Sequence, residues 1–169
     1  AIADAAIDSV LTLARADMIR RYGEIEVEIV IVALGRLGVR QLTAGSDLDL
    51  LIIYHAAPDT VSTGQLKLGA ASYVLRLAQT MVSWISTPTA EGTLYDVDLR
   101  LRPEGKAGAI ATSLDRLVTY FERDAWVWER LALTKARPIA GDAGLNDNIQ
   151  TFINGIVQHN HPQDSLITA

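Results

Sequence analysis

At 169 residues and 18.3 kDa the chain has the length of one ordinary domain. A chain of that size buries roughly 68–70% of its unfolded surface, enough to fold without a disulfide or a structural metal. It contains no cysteine, which excludes disulfides, thiolate zinc sites and cysteine nucleophiles, and its 20 Asp+Glu against 15 Lys+Arg argue against a broad nucleic-acid face. The longest apolar run, from Ile29 to Leu34, is far short of the roughly 20 residues that span a membrane. Asp4 and Asp8 stand where a signal peptide carries basic residues, so a cytoplasmic protein is expected. The chain starts inside a helical pattern without an initiator Met, as a piece cut from a longer protein would.

In chain order, residues 1–22 place Ile2, Ala6, Ile7, Val10, Leu11, Leu13, Ala14 and Met18 at helical spacing, ending in Arg20, Arg21 and Gly23. Residues 26–34 are rich in β-branched side chains and read as a buried strand. Gly35-Arg36-Leu37-Gly38 breaks that strand, and a short helix is expected over 39–43. Ala44-Gly45-Ser46 reads as a tight turn before a second strand, 47–54. A loop with Pro58 follows over 55–63, then a long core helix over 65–85, stopped by Thr87-Pro88. Residues 94–102 read as a third strand closed by Pro103, and 104–112 as a loop. Two helices are expected over 114–123 and 125–136, stopped before Pro138 and Gly141, and the Asn/Gln/His-rich tail from Asp142 has only weak periodicity. This divides the chain into a core over 1–112, a helical extension over 113–142 and a tail over 143–169 that begins a truncated helical region.

Two of these strands carry residues that strands disfavour. Asp47 and Asp49 head the second strand at i and i+2, so both carboxylates leave one face, directly after a Gly-Ser turn. In the third strand Asp96, Asp98, Arg100 and Arg102 alternate with Tyr95, Val97, Leu99 and Leu101, giving one apolar face and one charged ladder. Clustered carboxylates repel unless a cation or a proton joins them. Hard carboxylate oxygens suit magnesium, and two such ions can grip both the attacking and the leaving oxygens of a phosphoryl displacement. Arg100 and Arg102 would supply bidentate donors to phosphate, and the Gly45-Ser46 turn would supply backbone N–H groups and a hydroxyl.

Each element has a plainer reading. Asp-x-Asp is common, and the charged strand could be an exposed edge whose ion pairs contribute little. An EF-hand is excluded because Leu51 stands where an oxygen ligand is required and no Gly follows; an Asp-x-Asp-x-Thr phosphatase fails at the same residue. The combination of Gly-Ser-Asp-x-Asp on one strand with an acid ladder on a later one is the pattern of a nucleotidyltransferase site.

The stretches from Ala33 to Gly38, Gly45 to Leu50, Tyr95 to Pro103 and Trp126 to Arg137 together resemble the catalytic domain of bacterial glutamine synthetase adenylyltransferases. The resemblance runs from residue 1 to about 142. It implies an α+β nucleotidyltransferase fold of the polymerase β-like kind, a small mixed sheet packed against helices. It also implies an enzyme that moves AMP from ATP to a tyrosine of glutamine synthetase, or a related half that removes the AMP by phosphorolysis; a non-catalytic nucleotide-binding fragment is the remaining alternative. Carried over residue by residue, the metal-binding and catalytic acids fall on Asp47, Asp49 and Asp98, the phosphate-contacting turn on Gly45 and Ser46, and basic residues near the triphosphate on Arg36, Arg100 and Arg102. Two magnesium ions are implied, as is a PII-type regulator acting through regions outside this chain. Neither a membrane nor a nucleic acid is expected as partner.

Three positions depart from the family's usual pattern: Arg36 where Lys is usual, Val39 where a second Gly is usual, and Asp96 where Glu is frequent. The segments from Thr43 to Ser46, Thr87 to Gly92 and Ala125 to Glu129 look more like the adenylylating half. His55, His159 and His161 lack companions at metal-ligand spacing. Trp84, Trp126 and Trp128 read as core or helix-packing residues, and Glu129 as a brace for an arginine. Lys135 and Arg137 suit the C-terminus of the helix they end, with Arg137 also able to face a ligand.

Overall fold

The computed structural model describes residues 2–43, 45–89, 92–93, 95–99 and 108–158. Its centre is an antiparallel pair, β1 (Glu28–Ala33) and β2 (Leu48–His55), in the register Glu28 opposite His55 through Ala33 opposite Leu50. From Ile29 to Ala33 and from Leu50 to Ile53 the strands are apolar on both faces, because both faces are covered there. Ile29, Ile31, Leu48, Leu50 and Ile52 face α1 (Ile2–Tyr22) and α3 (Ala70–Ile85). Val30, Val32, Leu51 and Ile53 face α4 (Leu114–Arg123), α5 (Val127–Leu133) and α6 (Ala143–Gln158). The chain is therefore a mixed α+β fold with a small mixed sheet between helices.

The remaining strands extend that pair. β7 (Arg137–Gly141) runs antiparallel to β1 with a register shift between Ile31 and Val32. On the other edge, β2 pairs in parallel with β5 (Val97–Asp98) through its first residues and with β6 (Ala111–Ser113) farther along. A two-residue pair, β3 (Pro88–Thr89) and β4 (Gly92–Thr93), follows α3. Among the described residues no helix is long and apolar enough to cross a membrane.

Helix α1 buries Ala3, Ile7, Leu11, Ala14, Met18 and Tyr22, a stripe at i+3/i+4 spacing, while Ile2 and Leu13 face outward. The helix expected over 65–85 starts only at Ala70, although Leu66 and Leu68 continue its pattern. Local bonds override the periodicity there: the buried Ser62 hydroxyl accepts from Leu68 N (2.9 Å), Ser62 N donates to Leu68 O (2.9 Å), and Gly64 N donates to Tyr22 O (2.9 Å). The loop is thereby pinned to the end of α1.

Ala111 and Thr112, expected within the loop 104–112, belong to β6, and further differences follow residue 125. The helix expected over 125–136 is shortened to Val127–Leu133, with Trp126 as its N-cap residue. Residues 137–141, expected as a stop, form an edge strand, where Pro138 is tolerated. The weakly periodic tail contains α6, which buries Leu145, Ile149 and Ile153 against the sheet. Asp142 fixes its start: the carboxylate accepts from Ile29 N (2.7 Å) and pairs with Arg15 of α1, and its carbonyl accepts from Asn146 N (3.0 Å). The three tryptophans are not core residues. Trp84, Trp126 and Trp128 are 43%, 69% and 59% exposed, and the residue buried at the start of α5 is Glu129.

A second polar clamp joins β7 to α1. Arg137 donates to both carboxylate oxygens of Asp4 at 3.1 and 3.2 Å, with both side chains part-buried. Burial alone would raise the Asp4 pKa; the hydrogen bond and charge of Arg137 oppose it, and the net result lies below the ordinary 3.8. A carboxyl depressed on folding stabilises the native state above its unfolded pKa and loses that contribution as pH falls through the folded value.

Two outcomes are expected. Ile149→Ala should lower unfolding stability by about 2–5 kcal/mol in urea titration, the cost of a core truncation; a surface-like loss would remove α6 from the core. Asp4→Asn should cost about 1–3 kcal/mol at neutral pH, as for a hydrogen bond to a charged group, and the difference from the parent chain should shrink as pH falls below 3.8.

Candidate active site

The unusual acids lie where the sheet register ends. β2 and β5 pair in parallel with Leu48 opposite Val97 and Asp49 opposite Asp98, and Leu48 N donates to Asp96 O at 2.8 Å. Register partners on adjacent strands share a face, about 4.8 Å apart at the backbone. Tyr95, Val97 and Leu99 pack against the α1/α3 core, so Asp98 takes the opposite face, as Asp49 does by alternation with Leu48 and Leu50. Two part-buried carboxylates from distant parts of the chain thus stand side by side. Asp47, expected to head the second strand, lies one residue before β2 and is exposed.

Gly35 packs directly against Asp49. Leu34 N donates to Asp49 O (2.9 Å), continuing the β1–β2 ladder, and the chain then turns into a single helical turn, α2 (Gly35–Gly38). Gly35 has φ +51°, and a Cβ there would lie 2.3 Å from Asp49 Oδ2. The positive φ favours glycine there, and the absence of a Cβ lets the backbone lie against that carboxylate. The helix expected over 39–43 is thus four residues too late, and the glycines form it instead of breaking the chain. Val39 has φ −87°, so it needs no glycine; Arg40, at φ 59°, takes the left-handed turn.

Arg36 and the Gly45-Ser46 turn come together through Thr43, a residue whose role the motif spacing does not reveal. Arg36 Nη1 donates to Thr43 Oγ1 (3.3 Å), Thr43 Oγ1 and Ser46 Oγ are 2.8 Å apart, and Thr43 N donates to Ser46 Oγ (3.2 Å). Ser46 N closes the turn on Thr43 O (3.0 Å), with Gly45 at φ 76° and open space around it. The signal available in the sequence is the Thr-x-Gly-Ser spacing of an ST-type turn directly before Asp47.

Arg100 and Arg102 lie outside the described residues, as do Ala44, Leu101, Pro103, His159 and His161. His55 is exposed at the end of β2. Glu129 does not brace an arginine: it accepts from Tyr120 Oη (2.8 and 2.9 Å) and from Trp126 N (2.8 Å), holding α5 to α4. Arg137 faces Asp4 and the carbonyls of Leu37 and Gly38. A cavity of about 540 Å³, bounded by Arg15, Glu24 and Tyr73 among others, lies at the opposite end of β1 from Asp49 and takes no part in this constellation.

Among the described residues no three His, Cys, Asp or Glu groups lie close enough together to hold a metal ion as they stand. The Asp49–Asp98 pair still fits magnesium, which binds through one or two carboxylates and completes its shell with waters and substrate phosphates. The donors are all hard oxygens, and the hydroxyl-rich turn with Arg36 beside it suits an anionic ligand.

The family model described as glutamate-ammonia ligase adenylyltransferase matches residues 1–151. Three curated bifunctional glutamine synthetase adenylyltransferase/adenylyl-removing enzymes are similar. That of Brucella suis biovar 1 (strain 1330) is 40% identical over 158 residues, 92% of this chain and 16% of the relative. That of Mesorhizobium japonicum (strain LMG 29417 / CECT 9101 / MAFF 303099) is 40% identical over 166 residues, 97% and 17%. That of Rhodopseudomonas palustris (strain BisB5) is 41% identical over 172 residues, 99% and 17%. The chain therefore spans about one sixth of the length of these relatives.

The crowding at Gly35 is testable by a double-mutant cycle. Gly45→Ala should cost only the left-handed strain, about 1–2 kcal/mol. Gly35→Ala should cost more, and Asp49→Ala should relieve part of it, with a coupling of about 0.5–3 kcal/mol in urea titrations. Additive effects would separate Gly35 from Asp49.

Proposed function

The chain belongs to the glutamate-ammonia ligase adenylyltransferase family, and we propose that it is a nucleotidyltransferase domain moving AMP from ATP to a tyrosine hydroxyl of glutamine synthetase. The observation that carries this reading is the Asp49–Asp98 register pair beside the Thr43–Ser46 turn. In this reading the sheet is that of the polymerase β-like nucleotidyltransferases, and the protein works in the cytoplasm.

Asp47, Asp49 and Asp98 would hold magnesium, which when bound neutralises phosphate charge and eases ionisation of an attacking hydroxyl. Ser46 and the Gly45 backbone orient the triphosphate. Arg36, steadied by Thr43, faces its negative charge, and Arg100 and Arg102 add to it. A free phenol has a pKa of about 10, so the acceptor must lose its proton as it attacks; Asp98 accepts that proton. The phenolic oxygen bonds to the α-phosphorus as the bond to the β-phosphate oxygen breaks, and pyrophosphate leaves.

The relatives' names hold a second activity, adenylyl removal, and this chain corresponds to one sixth of such a protein. In that reading the same acids support attack by inorganic phosphate on the tyrosine-bound AMP, releasing ADP. The segments from Thr43 to Ser46 and Ala125 to Glu129 favour the adenylylating half.

Incubation with labelled ATP, magnesium and glutamine synthetase distinguishes the two. Label should appear on a tyrosine with release of pyrophosphate, and Asp47→Asn should reduce transfer by more than about 100-fold, beyond the usual effect of outer-shell changes, while the circular dichroism spectrum stays native. Phosphate-dependent release of ADP from adenylylated glutamine synthetase would assign the removing half instead. Full activity in Asp47→Asn would overturn the site.

A further inference from the structure

Arg137 makes more contacts than a charge at the end of a helix needs. Its Nε donates to Gly38 O (3.0 Å), its Nη2 to Leu37 O (3.2 Å), and its Nη1 and Nη2 to the two oxygens of Asp4 (3.1 and 3.2 Å). Leu37 and Gly38 are the last residues of α2, and the final carbonyls of a helix have no partner within it; Leu37 O accepts from Arg40 N (3.1 Å) in the turn that follows, and Arg137 adds a second donor to it. A helix of one turn is not stable alone, because nucleation outweighs its few hydrogen bonds. What holds α2 must come from its surroundings. At its start, Gly35 lies against the Asp49 carboxylate, where a Cβ would come within 2.3 Å of Oδ2. At its end, Gly38 lies against the backbone that leads into β7, where a Cβ would come within 1.8 Å of Lys135 O.

We propose that Arg137 is a positioning residue for Asp49: it fixes the C-terminal end of α2 to α1 through Asp4 and so sets where the N-terminal end of α2 confines the Asp49 carboxylate. This rests on the reading of Asp49 as a metal-holding carboxylate. The partners of Arg137 are Asp4, Leu37 and Gly38 and not Asp49, so it acts through one helical turn. The planar guanidinium suits the task, since it donates to two carbonyls and to a carboxylate in a single fixed geometry, which a lysine ammonium cannot reproduce. Groups that orient a metal ligand from behind affect metal affinity and activity by about 10–100-fold when removed.

The test compares the 169-residue chain with Arg137→Ala, Arg137→Lys and Asp4→Asn, and with Ile149→Ala as a control that loses stability away from α2. The readouts are the affinity for ATP with magnesium by calorimetry, the hydrogen exchange of the Gly38 amide, which donates to Leu34 O, and the carbon-13 shift of the Asp49 carboxyl at fixed pH. Arg137→Ala should weaken magnesium-dependent ATP binding by about 10–100-fold, release the Gly38 amide and move the Asp49 resonance, while amides of β1 and β2 stay protected. Methylguanidinium in millimolar amounts should restore part of the affinity. Arg137→Lys and Asp4→Asn, which keep part of the clamp, should lie between the parent and Arg137→Ala, and Ile149→Ala should leave affinity and the Asp49 shift unchanged. An unchanged Asp49 shift and Gly38 exchange in the folded Arg137 variants would overturn the proposal, as would an equal effect of Ile149→Ala. If the parent chain binds no ATP, the functional reading fails, and the two spectroscopic readouts still decide whether Arg137 positions Asp49.

Discussion

Everything in this fold is arranged around a strand pair with no solvent face. β1 and the middle of β2 are buried on both sides, so a charged group can stand on β2 only where the covering helices stop. Asp49 occupies that end, directly after Asp47, and among the described residues β5 pairs with β2 there, placing Asp98 beside Asp49. The face that Asp49 and Asp98 share is thus the continuation of the face that α4, α5 and α6 fill farther down. Burial of the strands and grouping of the acids follow from the same constraint.

The site's second half is built by short-range geometry at the other end of the β1–β2 connection. Fourteen positions separate Ala33 from Leu48, and in that interval α2 and the Thr43–Ser46 turn are fixed by glycines and hydroxyls with little apolar packing. Such a segment has few interactions of its own to hold it, so its order is borrowed. Asp49 lies at one end of α2, Arg137 at the other, and Arg36 links α2 to the turn through Thr43. Elements distant in sequence, α1 and β7, thereby bear on a carboxylate they do not touch.

How much of this the residues disclose depends on range. The strands at β1 and β2 and the helices α1, α3 and α4 are legible because their burial is periodic or continuous over many residues. The alternation of Tyr95, Val97 and Leu99 with Asp96 and Asp98 reveals which face packs. It does not reveal which residue meets Asp49, because register is set by pairing partners and not by pattern. β7 is hidden by Pro138 and Gly141, which read as breakers and are accommodated at an edge. Helix α6 is hidden because its buried residues, Leu145, Ile149 and Ile153, sit among Asn, Asp and Gln. Trp126 and Trp128 mislead in the opposite direction: size and hydrophobicity suggest a core, but the buried anchor of α5 is the polar Glu129, satisfied by Tyr120 and by the cap. The wider role of Arg137 needs the tertiary structure, since Asp4 lies 133 positions away.

The claim on which the functional account turns is that Asp49 and Asp98 form one cation-dependent site for a nucleotide. Calorimetric titration of ATP into Asp98→Asn and into the parent chain, with magnesium and with the metal chelated, measures it directly. The account predicts binding to the parent only when magnesium is present, and loss of that magnesium dependence in Asp98→Asn. Equal binding with and without magnesium, or an unaltered profile in Asp98→Asn, would contradict it.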